Sequence, residues 1–360
     1  MSRQRGRALA TLQKAKLKEV DRALFKIGKK IEILDHLRWN VSVKRRFLSS
    51  WRKGTPEFPR VNPSPVRLDK QRETLRNLIR AADGKHPLGR IVKDTAQHFY
   101  LATRMIEHMG KKSFLSFSGR LYGLPEDPCN PAGVTTLHAA SRILKGVKKF
   151  RLAEVVPEDE VCLMPEYVAA RIRKEARKIF KDVPFKVTID SRIAAKASAG
   201  PGRVRIRANT CFAPYDIDQL IQHELLVHTL TILNGRKQPV KVFGLNSPRT
   251  TCTQEGLAVF AEFISSSMDV NRLHRISARV RAIQMGIEGA DFLEVYRFFL
   301  EQGQSEEESY HSAMRVFRGG KLKGGVVFTK DLVYLKGFVD VHSFLVRALR
   351  DGDYLYPQHM

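Results

Sequence analysis

The chain has 360 residues, 43% of them apolar, and a formal net charge of +26 at pH 7. This length and apolar content allow a substantial buried core, which excludes a disordered chain. No window approaches the roughly 20 apolar residues of a membrane span, and the N-terminus lacks the apolar core of a secretory signal, so we expect a soluble cytoplasmic protein that does not enter a membrane.

Positive charge is concentrated at the N-terminus, where residues 1–60 hold 17 Lys or Arg against 5 Asp or Glu. Apolar residues from Leu17 to Leu34 recur at spacings of three and four, which predicts a long amphipathic helix within a basic arm at 1–60. We expect the apolar stripe to dock onto the rest of the protein rather than to self-associate. The basic faces would attract an acidic protein or nucleic acid, and a merely solvated face is the alternative.

A proline-rich stretch at 55–65 separates this arm from a helical region, which we place at 61–155 and expect to pack on the core. Within it, the apolar pattern predicts helices at 68–82, 88–109 and 135–149.

The first strand signals follow a further helix predicted at 165–180. Strict alternation of apolar and polar residues predicts strands at 185–189 and 203–207, with a turn at 198–202 between them. The exposed side of the second strand would carry Arg203, Arg205 and Arg207. These cations, Arg205 above all, would suit an acidic peptide that adds to the sheet as an extra strand, although a solvated strand face fits the pattern equally well.

The four cysteines of the chain are scattered and form no C-x-x-C pair. We therefore expect neither a thiolate zinc site nor a disulfide framework, which favours a reducing compartment.

The most informative segment is His223-Glu224-Leu225-Leu226-Val227-His228, followed downstream by Gln254-Glu255-Gly256-Leu257-Ala258. The two segments supply two imidazoles, a carboxylate base and a further carboxylate, which is the ligand set of a catalytic zinc site with an open fourth position. A buried histidine pair without a metal is the alternative.

The first segment lies in a helix predicted at 217–233, capped by Asp216 and ended by Asn234-Gly235. The familiar metalloprotease motif separates its histidines by four residues, but here they are five apart. At about 100° per residue, five steps leave the two rings roughly 140° apart on a straight α-helix. We therefore predict a π-bulge between His223 and His228, which would return both rings to one side.

The second segment begins an apolar helix predicted at 254–263. It places Glu262 on the same face as Glu255, seven residues on. Because an apolar helix seldom buries a glutamate without a cationic partner, we expect Glu262 to support the site rather than to serve as a fourth ligand.

Together the two motifs resemble the microtubule-associated tyrosine carboxypeptidases and their bacterial relatives, the flavohemoglobin expression-modulating QEGLA-motif proteins. The resemblance covers roughly residues 160–340 and includes the segment from Phe328 to Gly337. It implies that His223, His228 and Glu255 bind one zinc ion per chain and that Glu224 is the catalytic base. Leu225-Leu226-Val227 replace a Gly-Thr pair of animal members, which indicates a microbial branch.

The resemblance also implies a zinc metallocarboxypeptidase that removes residues from the C-terminus of a protein or peptide. Such an enzyme needs a cation for the substrate's terminal carboxylate and a donor for the oxyanion. We assign the first role to Lys330 or Arg318, with Arg315 nearby, and the second to Tyr334. A basic and aromatic surface without a ligand is the alternative for these residues.

The predicted fold is α+β, with a zincin-like catalytic domain at 156–360. We expect its substrate to be a protein or peptide with an acidic C-terminal region. The competing function is a nucleic-acid-binding or regulatory protein in which the metal site is structural or vestigial.

Overall fold

The fold is α+β and mostly helical, with one small sheet, as the sequence predicted. The computed structural model describes the backbone of residues 2–61, 66–130, 133–150, 162–181, 183–193 and 195–353, and their side chains except those of 2–13 and 148–150. The predicted boundary at 155/156 and part of the proline-rich stretch lie outside the described residues. No helix in the described ranges is long and apolar enough to cross a membrane.

The N-terminal half is helical. Its elements are α1 (Ser2–Gly28), α2 (Ile33–His36), α3 (Val41–Arg52), α4 (Asp69–Ala81), α5 (Pro87–Glu107), α6 (Lys112–Tyr122), α7 (Thr136–Phe150) and α8 (Pro165–Ile179). The predicted helices at 68–82, 88–109, 135–149 and 165–180 are confirmed to within two residues. Helix α6 was not predicted, because Ser118 occupies one of its buried positions and interrupts the apolar pattern.

Three strands follow, β1 (Lys186–Asp190), β2 (Ala197–Gly200) and β3 (Arg203–Arg207). Strand β3 is central, parallel to β1 and antiparallel to β2. Part of the predicted turn at 198–202 is therefore strand β2. The prediction that Arg207 is exposed was wrong, because Arg207 is 5% exposed and forms an ion pair with Glu308.

The C-terminal half returns to helices around a π-helix. They are α9 (Pro214–Leu220), the π-helix (Ile221–Thr229), α10 (Leu230–Lys237), α11 (Thr251–Ile264), α12 (Val270–Ile287), α13 (Phe292–Glu301), α14 (Glu306–Phe317) and α15 (Leu332–Arg350). Two short 3₁₀ turns, Lys241–Gly244 and Pro248–Thr250, connect α10 to α11.

The apolar residues of the described ranges form three clusters, one of which includes residues of the π-helix. One joins α8, the sheet, α9 and the π-helix. The largest joins α11 to α15 with α3, α5, α6 and α7. The third holds α1 against α4 and α5, with Val20 and Leu24 buried. The predicted docking of the N-terminal stripe is thus confirmed, except at its end, where Leu34 is 42% exposed beyond the end of α1.

The expectation that the cysteines form no disulfide was wrong. Cys162 and Cys211 are bonded, 49 residues apart in sequence. Next to the bond, Leu163 and Phe212 exchange backbone hydrogen bonds, which tie the start of α8 to the segment before α9. The cysteine spacing therefore no longer supports a reducing compartment.

Candidate metal centre and substrate cleft

The predicted widening of the motif helix is confirmed, since residues Ile221–Thr229 form a π-helix. The two imidazoles of the motif consequently face each other, with the ring centroids of His223 and His228 4.7 Å apart and their planes nearly perpendicular. The extra residue of the five-residue spacing is taken up by the i to i+5 hydrogen bonds of the π-helix.

Both predicted ends of the motif helix were wrong. The helix begins three residues earlier, after Ala213, and the carboxylate of Asp216 accepts the Ala213 backbone N–H from within the first turn. Gly235 does not end it, because α10 continues to Lys237. A β-carbon on Gly235 would lie 2.1 Å from the carbonyl oxygen of Phe243, so this glycine permits close backbone contact.

A second glycine contact explains how Glu255 reaches the histidines. Helices α11 and α15 touch through Gly256 and Gly337, and a β-carbon on Gly256 would lie 2.3 Å from the carbonyl group of Gly337. Position 256, next to Glu255 in the second motif, is thus a glycine because the backbone of α15 occupies the space that a side chain would need. This contact brings Glu255 and the start of α15 together at one site.

His223, His228 and Glu255 converge on one point. One ligand atom from each lies within 4.8 Å of the other two, and Glu255 Oε2 lies 3.3 Å from Nε2 of His223 and 3.5 Å from Nε2 of His228. At zinc–ligand distances of about 2.0–2.2 Å, two ligands of a tetrahedral ion lie about 3.4 Å apart. The donor set and the two distances from Glu255 therefore fit zinc, and a tetrahedral ion held by three side chains has one position left for a further ligand.

Glu262 supports this cluster from behind, as predicted. Its Oε1 lies 2.6 Å from Nδ1 of His223, and Arg272 donates two hydrogen bonds to the same carboxylate, at 3.0 and 3.1 Å. Because the carboxylate accepts the Nδ1 proton, Nε2 of His223 is directed toward Glu255 and is available as a ligand.

The cluster is built to hold positive charge. Burial lowers the pKa of His223, but its hydrogen bonds to Glu255 and Glu262 outweigh burial and raise the pKa to about 10. Burial raises the pKa of Glu255, yet Lys330 and both histidines hold it well below its usual range. Arg272 likewise overcomes burial and lowers the pKa of Glu262 to about 2. In the absence of a metal, a proton on His223 supplies part of the charge that a cation would supply.

Glu224 does not join the three ligand residues. It is 8% exposed and lines the cleft, and its Oε2 accepts the backbone N–H of Ala199 in β2 at 2.6 Å. The edge strand of the sheet therefore fixes one carboxylate oxygen of Glu224, and the other oxygen has no hydrogen-bond partner among the described residues.

Lys330 and Tyr334 both lie beside the cluster, Lys330 just before α15, which begins at Leu332, and Tyr334 in its first turn. Lys330 Nζ donates to Glu255 Oε1 at 3.1 Å and lies 5.5 Å from the centroid of the Tyr334 ring. Arg315 forms two hydrogen bonds to Asp331, at 2.6 and 2.7 Å, and a longer one of 3.5 Å to the Tyr334 hydroxyl. Lys330 and Arg315 are thus already paired with carboxylates.

Arg318 differs from these two cations. It is 5% exposed and lines the same cleft, and its guanidinium donates no hydrogen bond to any described side chain or backbone group. Its one ring contact is with Phe328, 5.1 Å from the guanidinium carbon. Burial, together with the nearby charge of Arg315, lowers the pKa of Arg318 to about 10. Asp331 acts on Arg318 electrostatically but forms its hydrogen bonds with Arg315, so the Arg318 guanidinium is buried without an ion pair of its own among the described residues, which is costly.

The cleft has a volume of about 520 Å³ and a strongly cationic lining, with nine Lys or Arg side chains and three Asp or Glu. Arg205 lies on its wall with 29% of its side chain exposed, 3.6 Å from Asp190. Arg249, before α11, is half-buried on the wall and pairs with no carboxylate among the described residues.

Sequence reasoning missed the residues that hold the cleft walls. Asp21 of α1 is 2% exposed and accepts the backbone N–H groups of Lys241 and Val242, which fixes the segment that carries Val242 and Phe243 into the cleft. Arg272, Asp331 and Glu308 were also missed as partners of site residues. The one available signal was Asp21 itself, a carboxylate between apolar positions of an amphipathic stripe.

Comparison with known protein families identifies one match. Residues 45–356 match the family described as microtubule-associated tyrosine carboxypeptidase. Among curated proteins, none matches the chain. The family match is longer than the stretch from 160 to 340 that the motifs indicated, and it leaves out α1 and α2. Because it spans nearly the whole chain, the chain belongs to the microtubule-associated tyrosine carboxypeptidase family, a family of carboxypeptidases.

Proposed function

We propose that this protein is a zinc-dependent carboxypeptidase with a zincin-like catalytic domain. The observation that carries the proposal is the convergence of His223, His228 and Glu255 within 4.8 Å of one another on the wall of an open cleft, with Glu255 at tetrahedral ligand spacing from both histidines. We call the arrangement zincin-like because it combines a helix with two histidines, a second helix with the third ligand and a sheet edge beside the base. One zinc ion per chain would be held by these three side chains.

Zinc bound there would lower the pKa of a water molecule and polarise the scissile carbonyl. Glu224 accepts the proton of the attacking water and passes it to the leaving amine. Its hydrogen bond from Ala199 leaves one oxygen free for this exchange. Tyr334 lines the same cleft, and because its hydroxyl accepts a long hydrogen bond of 3.5 Å from Arg315, its own proton would be available to the oxyanion.

Arg318 is the residue that best fits recognition of the substrate's terminal carboxylate. A guanidinium can bind a carboxylate through two parallel hydrogen bonds. The ammonium of Lys330 is already paired with Glu255, and the guanidinium of Arg315 is already paired with Asp331. Lys330 instead neutralises the ligand Glu255, and Arg315 orients Tyr334. We propose that an enzyme with Arg318 on the wall of its cleft acts as an exopeptidase, since the free terminal carboxylate of the substrate would compensate this charge.

The cationic lining supports a substrate with an acidic C-terminal region. The side chains of Arg205 and Arg249 are exposed enough to meet acidic side chains that precede the terminal residue. Contacts with these partly exposed side chains would raise the association rate as well as the affinity, and they would weaken as the salt concentration rises.

The proposal is tested by treating a peptide library with the zinc-loaded protein and reading the products by mass spectrometry. We expect loss of C-terminal residues from acidic peptides, and no loss with Glu224→Gln at equal zinc content. Glu301→Gln, on the exposed end of α13, is the matched control. Internal cleavage, or cleavage that survives Glu224→Gln, would refute the proposed reaction.

A further inference from the structure

Helix α1 carries an exposed basic face that the peptidase cleft does not use. Between residues 14 and 30, seven Lys or Arg side chains are exposed and one acidic side chain, Glu19, lies among them. The second acidic residue of this stretch, Asp21, is buried on the opposite face. The exposed cations are Lys14, Lys16, Lys18, Arg22, Lys26, Lys29 and Lys30.

None of these seven side chains forms an ion pair with a carboxylate in the described part of the chain, whereas many cations elsewhere do, among them Lys44, Arg52 and Arg72. Lys14, Lys18, Arg22 and Lys26 follow one another at intervals of four, so they form a single row with a rise of about 6 Å per step. A shallow groove runs beside this row, and its lining comprises Ala15, Lys18, Glu19, Arg22, Ala23 and Lys26.

The helix is held in a fixed orientation. Its opposite face buries Val20 and Leu24 against α4 and α5, and Asp21 accepts two backbone hydrogen bonds from the 3₁₀ turn at Lys241–Gly244. The row of cations is therefore displayed by a docked helix. A docked row can contact an extended polyanion without first being ordered.

The composition of the face distinguishes between two polyanions. Protein–protein interfaces are centred on buried aromatic or aliphatic anchors and are depleted in lysine, and this face has no exposed large apolar side chain between residues 14 and 30. Binding to a phosphate backbone needs only closely spaced cations, for which lysine serves as a point charge. The face therefore fits a nucleic acid better than an acidic protein.

We propose that the exposed face of α1 binds the phosphate backbone of a nucleic acid without sequence preference. The site is separate from the peptidase cleft and does not depend on zinc. Helix α1 lies outside the family match at 45–356, so membership of the family does not by itself imply this property.

The test measures binding of the full chain to a fluorescent DNA duplex of about 20 base pairs, and to a single-stranded RNA of similar length, over a series of salt concentrations. The variant is Lys18→Glu, Arg22→Glu, Lys26→Glu. Its matched control is Lys174→Glu, Arg177→Glu, Lys181→Glu, which makes the same change in charge at exposed positions on and just after α8. Circular dichroism and thermal melting of both variants establish that they are folded.

We expect the α1 variant to bind at least about tenfold more weakly and to reduce the slope of log K against log salt by about three, because each lost cation releases one phosphate contact. The control variant should bind within about twofold of the unchanged protein. Binding to either nucleic acid supports the proposal and identifies the form that binds. No binding by the unchanged protein, equal losses in both variants, or equally strong binding of polyglutamate at the same charge concentration would overturn it.

Discussion

The hydrogen bond between Glu262 and His223 allows a quantitative prediction about the metal centre. Glu262 is fully buried, its Oε1 lies 2.6 Å from His223 Nδ1, and both its oxygens accept hydrogen bonds from Arg272. In Glu262→Gln the carboxylate becomes a neutral amide. If the amide oxygen accepts from His223, the amide NH₂ faces the guanidinium of Arg272; if the amide is turned the other way, its NH₂ faces His223 and no acceptor is left for Nδ1. The imidazole is then less basic and less firmly oriented as a ligand.

Loss of such a supporting contact typically costs about 10- to 100-fold in metal affinity, which corresponds to about 1.4 to 2.8 kcal/mol. We expect a weakening of zinc binding in this range for Glu262→Gln, measured by competition with a chromophoric chelator. Glu301→Gln serves as the control, since Glu301 is exposed and contacts no ligand residue among those described. Zinc affinity within about twofold of the unchanged protein, in a folded Glu262→Gln variant, would refute the reasoning.

Three further predictions concern packing, pH and substrate recognition. Gly256→Ala should destabilise the protein by at least about 1–3 kcal/mol in thermal melting, because the new β-carbon meets the Gly337 carbonyl at 2.3 Å, whereas Gly146→Ala, with no atom within 4 Å, should not destabilise it. In zinc-free protein the raised pKa of His223 means that its protonation stabilises the fold, fully below about pH 6.5 and less and less as the pH rises toward 10. The melting temperature should therefore fall between these two pH values in the unchanged protein but not in His223→Gln. Arg318→Ala should lower kcat/KM by about 10- to 100-fold on a peptide with a free C-terminus, because a pair of charge-assisted hydrogen bonds to the terminal carboxylate is lost. An equal loss on the same peptide with an amidated C-terminus would contradict the assignment.

The parts of the site that depend on local sequence could be predicted. The five-residue spacing of His223 and His228 required a widened turn, since helix geometry leaves no other way to bring both rings to one side. The position of Glu262 seven residues after Glu255 put both carboxylates on one face, and the charge of Glu262 required a partner. Helices α4, α5, α7 and α8 followed from their apolar spacing, whereas α6 did not.

The parts that depend on contacts distant in sequence could not be predicted. Arg272 pairs with Glu262 from the following helix, Asp331 pairs with Arg315, and Gly337 fits against Gly256, and no local pattern specifies any of these pairs. Arg207 alternated with apolar residues like an exposed strand position, yet Glu308 buries it. The bond between Cys162 and Cys211 joins segments that only the fold brings together.

The metal content of the purified protein tests the central claim most directly. We predict about one zinc ion per chain in the unchanged protein after dialysis against a weak chelator, and almost none in His228→Ala treated in the same way, because two ligands hold zinc far less tightly than three. A metal-free protein with all three ligands intact, or equal zinc in both proteins, would contradict the account.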